Sequence, residues 1–359
     1  MRTFWVRGKE HQSFTRPKTF FVSGQIGTGK SALLEHIGMQ HLQRGSAILD
    51  LFGSADGESL AWLRSPEIKD KNVCLLRGEN VDIKTHHDVK TAEQLTLKNL
   101  ETYDFIISSR PLYLNKDFEF YSIGKLTDLL YRRLSWNRLI YIIAREAGNL
   151  WFSRLKVSEK QTDAKSEAIY MLREMRHLGC ALGLDTLRTM AIDIDIRAHT
   201  DIMLLKSQGI GGLSRELSWL YGYFSPAFVR NMPNKSFLYV SRRGPLGIGV
   251  FPYHTWHKEE RENILSSVGV KVEYGEVTDL GIDREDYKTV GDKEHIQIVE
   301  GYHNGESMNK LADRLGRSTK TISDHVHGHD KEVLKGGFCS VCKKLKSGVA
   351  SSLARGKIN

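Results

Sequence analysis

Residues 20–38 read FFVSGQIGTGKSALLEHIG, and this stretch decides the fold of the amino-terminal part of the chain. Gly24, Gly29, Lys30 and Ser31 stand in the spacing G-x-x-x-x-G-K-[ST] of a Walker A loop. Phe20, Phe21 and Val22 form a short apolar strand, and the glycines after it let the backbone curl its N–H groups around phosphate oxygens. A helix opening at Lys30-Ser31 turns the positive end of its dipole toward the anion. The residues expected to bind nucleotide are Gly24, Gln25, Gly27, Thr28, Gly29, Lys30, Ser31 and Ala32. Lys30 would reach the β and γ phosphates of ATP, and Ser31 would hold Mg²⁺ through its hydroxyl. The helix reads as amphipathic, with Leu33, Leu34, Ile37 and Leu42 on its apolar side and Gly45 closing it. The competing reading is an unrelated glycine-rich strand-to-helix turn.

At 359 residues the chain has room for two or three domains, each with its own core. The formal charge of +9 and the pI near 9.2 favour polyanionic partners, although basic residues often only solvate a surface. No stretch approaches the ~18 uninterrupted apolar residues of a membrane span, and the start, MRTFWVRGKEHQ, is too polar for a secretory signal. A cytoplasmic protein is the expectation. Cys74, Cys180, Cys339 and Cys342 are too few for a disulfide framework at this length, and only the last two are closely spaced.

Short apolar strands alternate with helical stretches up to about residue 250: Thr19 to Ser23, Ala47 to Leu51, Val73 to Leu76, Asp104 to Ser108, Leu139 to Ala144, Cys180 to Leu184, Ile202 to Leu205 and Phe237 to Val240. The segment TDAKSEAIYMLREMRHLG has a capping Thr162 or Asp163, apolar Ile169, Leu172 and Met175, and a closing Gly179. Such alternation predicts an α/β fold with crossover units and a mainly parallel sheet, nucleotide lying at the carboxyl ends of its strands. Runs such as LIYIIA and DFIIS fit strands covered on both faces.

A second pattern lies near the carboxyl end, in MNKLADRLGRSTKTISDHV. Leu311, Ala312 and Leu315 give a helical face, Gly316 a turn, Ser318 a cap, and Ile322 and Val326 pack the next helix back on the first. This is helix-turn-helix spacing, and EHIQIVEGYHNG supplies a supporting helix. Thr319, Lys320, Thr321 and Ser323 would face double-stranded DNA; a helical bundle that binds protein is the alternative. Next comes a set of zinc-type ligands, His325, His329, Cys339 and Cys342, with His327 as a competing ligand and Gly336 and Gly337 allowing a knuckle turn. A free cysteine pair with DNA-facing histidines is the other reading. The tail carries Lys343, Lys344, Lys346, Arg355 and Lys357 and no acid; it could track phosphate or simply be solvated.

Taken in order, the Walker A strand and helix, IYIIAREAGNLW, the helix ending in REMRHLG, the strand CALGLDT and IDIDIRAHTDIMLLK resemble the FtsK/HerA superfamily of P-loop DNA-pumping ATPases over roughly residues 18 to 245. The resemblance implies a RecA-like fold, a ring-forming homo-oligomer, and ATP hydrolysis that drives DNA or its cargo along a channel. It places Glu146 at the catalytic Walker B glutamate and makes Arg197 a candidate for the basic residue after the sensor strand.

Two positions depart from that pattern. Arg145 stands where the Walker B aspartate is expected, and the polar sensor position is Asp185. A guanidinium there would repel Mg²⁺ or point elsewhere; Asp185 or the carboxylates Asp50, Asp56 and Glu58 could take over the metal. Arg145 could instead reach a neighbouring subunit or pair with Asp185, and strand alternation would aim it away from the face of Glu146. The segment SRRGPLGIGVFPYHTWH reads as the last sheet edge with an interface loop, where Arg242 and Arg243 either sense phosphate in trans or solvate the surface. The expected organisation is a nucleotide domain over 1–257, a charged linker over 258–290, a helix-turn-helix with zinc knuckle over 291–346 and a basic tail over 347–359. The function that fits is a DNA-stimulated ATPase with catalytic Lys30, Glu146 and Asp185. The alternatives are an ATP-binding DNA regulator with little hydrolysis and, with no arginine-rich lid in its favour, a small-molecule kinase.

Overall fold

The computed structural model describes residues 5–6, 9–10, 17–52, 57–133, 137–152, 159–175, 177–242, 246–257, 264–275 and 291–336. The chain divides into two compact units, Met1–Thr278 and Asp279–Asn359.

The first unit carries strands β1 (Trp5–Val6), β2 (Lys9–Glu10), β3 (Thr19–Ser23), β4 (Ala47–Phe52), β5 (Val73–Leu76), β6 (Val81–Lys84), β7 (Asp88–Lys90), β8 (Phe105–Ser108), β9 (Ile140–Ala144), β10 (Cys180–Thr186), β11 (Ile202–Leu205), β12 (Ser236–Ser241), β13 (Leu246–Val250) and β14 (Lys271–Tyr274). Its helices are α1 (Lys30–Leu42), α2 (Leu97–Thr102), α3 (Lys116–Tyr131), α4 (Glu159–Glu174), α5 (Ile194–Ala198), α6 (Pro226–Arg230) and α7 (Ile264–Ser267). Ten strands form one sheet in the order β13-β12-β11-β3-β10-β9-β4-β8-β5-β7. From β11 to β7 every pairing is parallel, whereas β12 and β13 add an antiparallel edge. This mostly parallel α/β sheet is consistent with a RecA-like P-loop fold, and the eight strands read from the sequence all lie in it.

The sheet is covered on both faces, which is why β3, β5, β8, β9 and β10 are buried at every residue. Phe21, Leu49, Ile142 and Leu182 share one core with Phe120, Ile123, Leu126, Ala168, Met171 and Leu172 of α3 and α4. Each such side chain contributes roughly 1.5–3 kcal/mol when fully buried. The alternate residues meet α1: the Phe20 and Tyr141 rings both pack on His41, Tyr141 stacked at 4.5 Å between centroids.

Helix α1 is not amphipathic as its spacing predicts, for Lys30 and every residue from Ala32 to Leu42 are buried. Its second side is covered by the 3₁₀ segment Glu58–Arg64 and by the chain after β13. His36 stacks on His254 at 5.5 Å, and Trp62 packs on Trp256 at 5.0 Å. The segment read as an interface loop therefore lies folded over α1, with Phe251 and Trp256 buried. Helix α4 begins at Glu159, ahead of the expected caps Thr162 and Asp163, because Glu159, Lys160 and Gln161 are themselves good helix formers. Within the stretch read as linker, α7 packs in the first unit through buried Ile264, and β14 pairs antiparallel with β6. Its charges belong there to a two-stranded surface sheet, with Lys84 and Glu273 paired at 2.5 Å.

The second unit has three helices among the described residues, α8 (Asp292–His303), α9 (Met308–Leu315) and α10 (Thr319–Gly336). Ile298, Leu311, Ala312, Ile322 and Val326 form its core. Gly316, in the left-handed region at φ 61°, ends α9, and the Ser318 hydroxyl accepts the Thr321 N–H at the start of α10. No helix among the described residues is long and apolar enough to cross a membrane.

Candidate functional site

Parallel register brings the carboxyl ends of β3, β10, β9 and β4 side by side: Val22 pairs with Asp185, Ala144 with Leu184, and Asp50 with Ile143. The loops that leave these strands therefore converge at one edge of the sheet.

After β3 the chain turns through the glycine loop into α1. Gly27 (φ 73°) and Gly29 (φ 82°) occupy the left-handed region, which other residues enter only at a cost. At Gly24 the constraint is space, since a Cβ would lie 2.5 Å from the Cβ of Lys206. Gln25 holds the loop: its N–H donates to the Ser207 carbonyl at 3.0 Å. Its own carbonyl accepts the Thr28 hydroxyl at 2.8 Å and the Lys30 ammonium at 3.1 Å. Gly29 is the N-cap of α1 and offers no side chain to the helix's first N–H groups, which leaves that turn to an outside anion. Ala32 is buried behind it. Asn234 donates to the Gly27 carbonyl at 3.1 Å, and the Tyr253 hydroxyl caps the Asn234 carbonyl at 3.0 Å.

Facing the loop is Asp185, buried at the end of β10. One of its oxygens accepts the Ser31 hydroxyl at 3.5 Å and the other the Glu146 N–H at 2.5 Å. Burial pushes its carboxyl up to about 7; Lys30 pulls against that, while Glu146 and Glu58 add to it. Burial also raises the Glu146 carboxyl, with Lys30 opposing and Glu58 reinforcing. Glu146 sits at φ 46°, ψ 48°, a left-handed conformation unusual for a residue with a side chain.

Arg145 takes a different environment. Its side chain is fully buried, with Nη2 2.7 Å from both Glu35 and Asp50 and Nη1 3.5 Å from Glu58. The Trp62 indole N–H donates to Asp50 at 2.8 Å, and the His257 imidazole lies 2.6 Å from Glu35. Burial opposes the guanidinium's charge, but Asp50, Glu35 and Glu58 outweigh it and hold the group protonated. Burial likewise pushes Glu35 up, and Arg145 and His257 more than reverse this, leaving it below the usual carboxylate range. Arg145 thus neither pairs with Asp185 nor reaches out of the subunit. Its partners are instead Glu35 of α1 and Asp50 of β4.

Among the substitute metal carboxylates, Asp50 is taken by Arg145 and Trp62, Asp56 lies outside the described residues, and Asp185 faces Ser31. Arg197 pairs with Glu216 at 2.5 Å, and the Arg242 guanidinium donates to the Ala198 carbonyl; Arg243 lies outside the described residues. Glu35, Trp62, Asn234, Tyr253 and His257 were not singled out by sequence reading. A lone acid inside the apolar run ALLEHIG was the available signal for Glu35.

In the second unit Thr319 and Lys320 are exposed, and Thr321 and Ser323 half-buried, at the start of α10. Cys339, Cys342 and the basic tail lie outside the described residues. The two histidines of the expected zinc set share His295 as a neighbour: His325 lies 3.1 Å from it, ring nitrogen to ring nitrogen, and the His329 ring packs on it at 5.7 Å while also gathering with His303 and Asp330.

No family model matches the chain, and no curated protein matches it. Among solved structures, it is similar to the genome packaging NTPase of Sulfolobus turreted icosahedral virus 2 in complex with ATP-gammaS, at 16% identity and a TM-score of 0.41, covering 66% of this chain and 98% of that one. The pCW3 conjugation coupling protein TcpA with ATPgS aligns at 13% identity and a TM-score of 0.41, covering 71% and 66%. The cytoplasmic domain of the Thermomonospora curvata type VII secretion ATPase EccC aligns at 12% identity and 0.38, covering 67% and 24%.

Proposed function

We propose that the chain is a P-loop ATPase that acts on double-stranded DNA as a homo-oligomer, in a translocation, packaging or mobilisation role. One juxtaposition carries the reading. A glycine loop opening onto the uncapped start of α1 stands against a buried carboxylate, Asp185, that bonds both Ser31 and the backbone of Glu146. The loop amides and helix start bind the phosphates, and Lys30 exchanges the Gln25 carbonyl for β- and γ-phosphate oxygens. Glu146, its basicity raised by burial, orients the attacking water and takes its proton. Ser31 and Asp185, a hydroxyl and a carboxylate 3.5 Å apart, fit the hard-oxygen preference of Mg²⁺. When bound, that ion neutralises charge developing on the transferred phosphoryl group.

DNA contact falls to the three-helix unit, through Thr319, Lys320, Thr321 and Ser323 at the start of α10, in a chain of net charge +9. A zinc ion in that unit belongs to the same reading. The engagement of Asp50 and Arg145 with each other favours one alternative, an ATP-binding DNA regulator with little hydrolysis, since it removes a carboxylate from metal duty.

Steady-state ATPase with and without duplex DNA separates the two. Turnover should rise with DNA; Lys30→Ala should abolish nucleotide binding, and Glu146→Gln should keep binding while losing ~10²-fold or more in rate. Equal background rates for wild type and Glu146→Gln would favour the regulator.

A further inference from the structure

The second unit assembles a ligand set that differs from the one its spacing suggests. His303 ends α8, and His329 and Asp330 lie on α10; one ligand atom from each falls within 4.8 Å of the others. The His303 Nε2 to Asp330 Oδ1 distance is 3.3 Å. Two donors about 2.0–2.1 Å from a tetrahedral zinc stand roughly 3.3 Å apart, so that pair is already at ligand spacing, and the third donor needs a side-chain rotation to join it. His329 is 2% exposed while His303 and Asp330 reach solvent, which seats an ion at the edge of the core with an open side for water. His325 lies against His295, whose ring packs on His329, and is not one of the three.

We infer that His303, His329 and Asp330 bind a divalent transition ion of the zinc class, clamping the end of α8 to α10 without requiring Cys339 or Cys342. Two imidazoles and one carboxylate suit such an ion, and thiolates are not needed for its affinity. The gain is structural: the described part of the unit shares a core of five buried apolar residues, a size at which small domains use a metal or disulfide as a staple. Protons compete with the ion for the ligand nitrogens, so affinity falls as pH drops. The inference rests on the zinc reading of this unit and changes the ligands.

The test uses the full chain, stripped with chelator and titrated with zinc alone, bound metal being counted by elemental analysis and affinity by competition with a chromogenic chelator. About one equivalent should bind. His303→Ala and Asp330→Asn, the first at an exposed and the second at a half-buried position, should each weaken binding at least ~10-fold with helix content unchanged by circular dichroism. Cys339→Ser and His325→Ala should bind as wild type, and the cobalt-substituted protein should show the weak visible bands of nitrogen and oxygen ligands, with no thiolate charge-transfer band. Retention of zinc by both His303→Ala and Asp330→Asn overturns the assignment. Loss in Cys339→Ser together with a thiolate band also overturns it, while leaving zinc in the unit. Less than a tenth of an equivalent in the wild type sinks both.

Discussion

Two groups of carboxylates stand at the same sheet edge, one residue apart along the strand end that carries Arg145 and Glu146, and they differ in what neutralises them. Asp50 and Glu35 share a fully buried guanidinium, with the Trp62 indole donating to Asp50 and His257 2.6 Å from Glu35. Asp185 and Glu146 have Lys30 as their opposing charge, and burial leaves both carboxyls raised. In the first group burial still leaves the Asp50 carboxyl raised, while Arg145 and His257 bring Glu35 below the usual carboxylate range; with a guanidinium already in place, that group behaves as structure. The second is short of positive charge and suits a metal and a phosphate, because a cation added there relieves a penalty already incurred in folding. Arg145 thus engages one buried carboxylate, Asp50, and leaves its neighbour on β10, Asp185, free of a guanidinium.

The contrast breaks most visibly at Arg145. Arg145→Met strands two buried acids and should cost about 3–5 kcal/mol in urea unfolding, with nucleotide affinity of the folded fraction unchanged. Adding Asp50→Asn and Glu35→Gln should recover most of that loss. A cost below ~1 kcal/mol would show that the closed group does not hold the fold.

Asp185 should respond with the opposite sign. Its carboxyl titrates near 7 in the fold against an ordinary 3.8, so between those values the native state binds more protons than the unfolded one. Stability therefore falls as pH rises through that window. In metal-free, nucleotide-free protein, Asp185→Asn should remove this slope and raise stability at pH 8 by ~1–3 kcal/mol while weakening Mg²⁺-nucleotide binding. Urea midpoints at pH 5 and pH 8 that move in parallel for wild type and variant would place the two groups in the same class.

The smallest effect sharpens the first group. Trp62→Phe removes one donor to Asp50 but leaves the arginine in place, and should cost about 1 kcal/mol without altering ATPase rate. A rate change would mean that Asp50 still communicates with the phosphate side.

Local signals in the chain were sufficient for eight of the ten strands of the sheet, the Walker A turn and the three-helix pattern around Gly316, because each rests on neighbours within a few residues. Apolar runs specify buried strands, and Gly27 and Gly29 specify backbone that other residues resist. The burial of α1 on both sides was not legible: it depends on Trp62, His254 and Trp256, which arrive from distant segments. The helical period cannot report a second cover. For the same reason the partners of Arg145 were not visible, since Glu35 and Asp50 lie 110 and 95 residues away in sequence.

What the sequence determined by itself is the glycine loop and the parallel sheet that presents it, both consequences of backbone preference and short-range hydrophobic pattern. What only the tertiary structure decided is charge placement. It set which carboxylate Arg145 closes, which one Ser31 meets, and which histidine lies beside Asp330. Coulomb energy and desolvation depend on distance and burial after folding, and neither is a property of neighbouring residues in the chain.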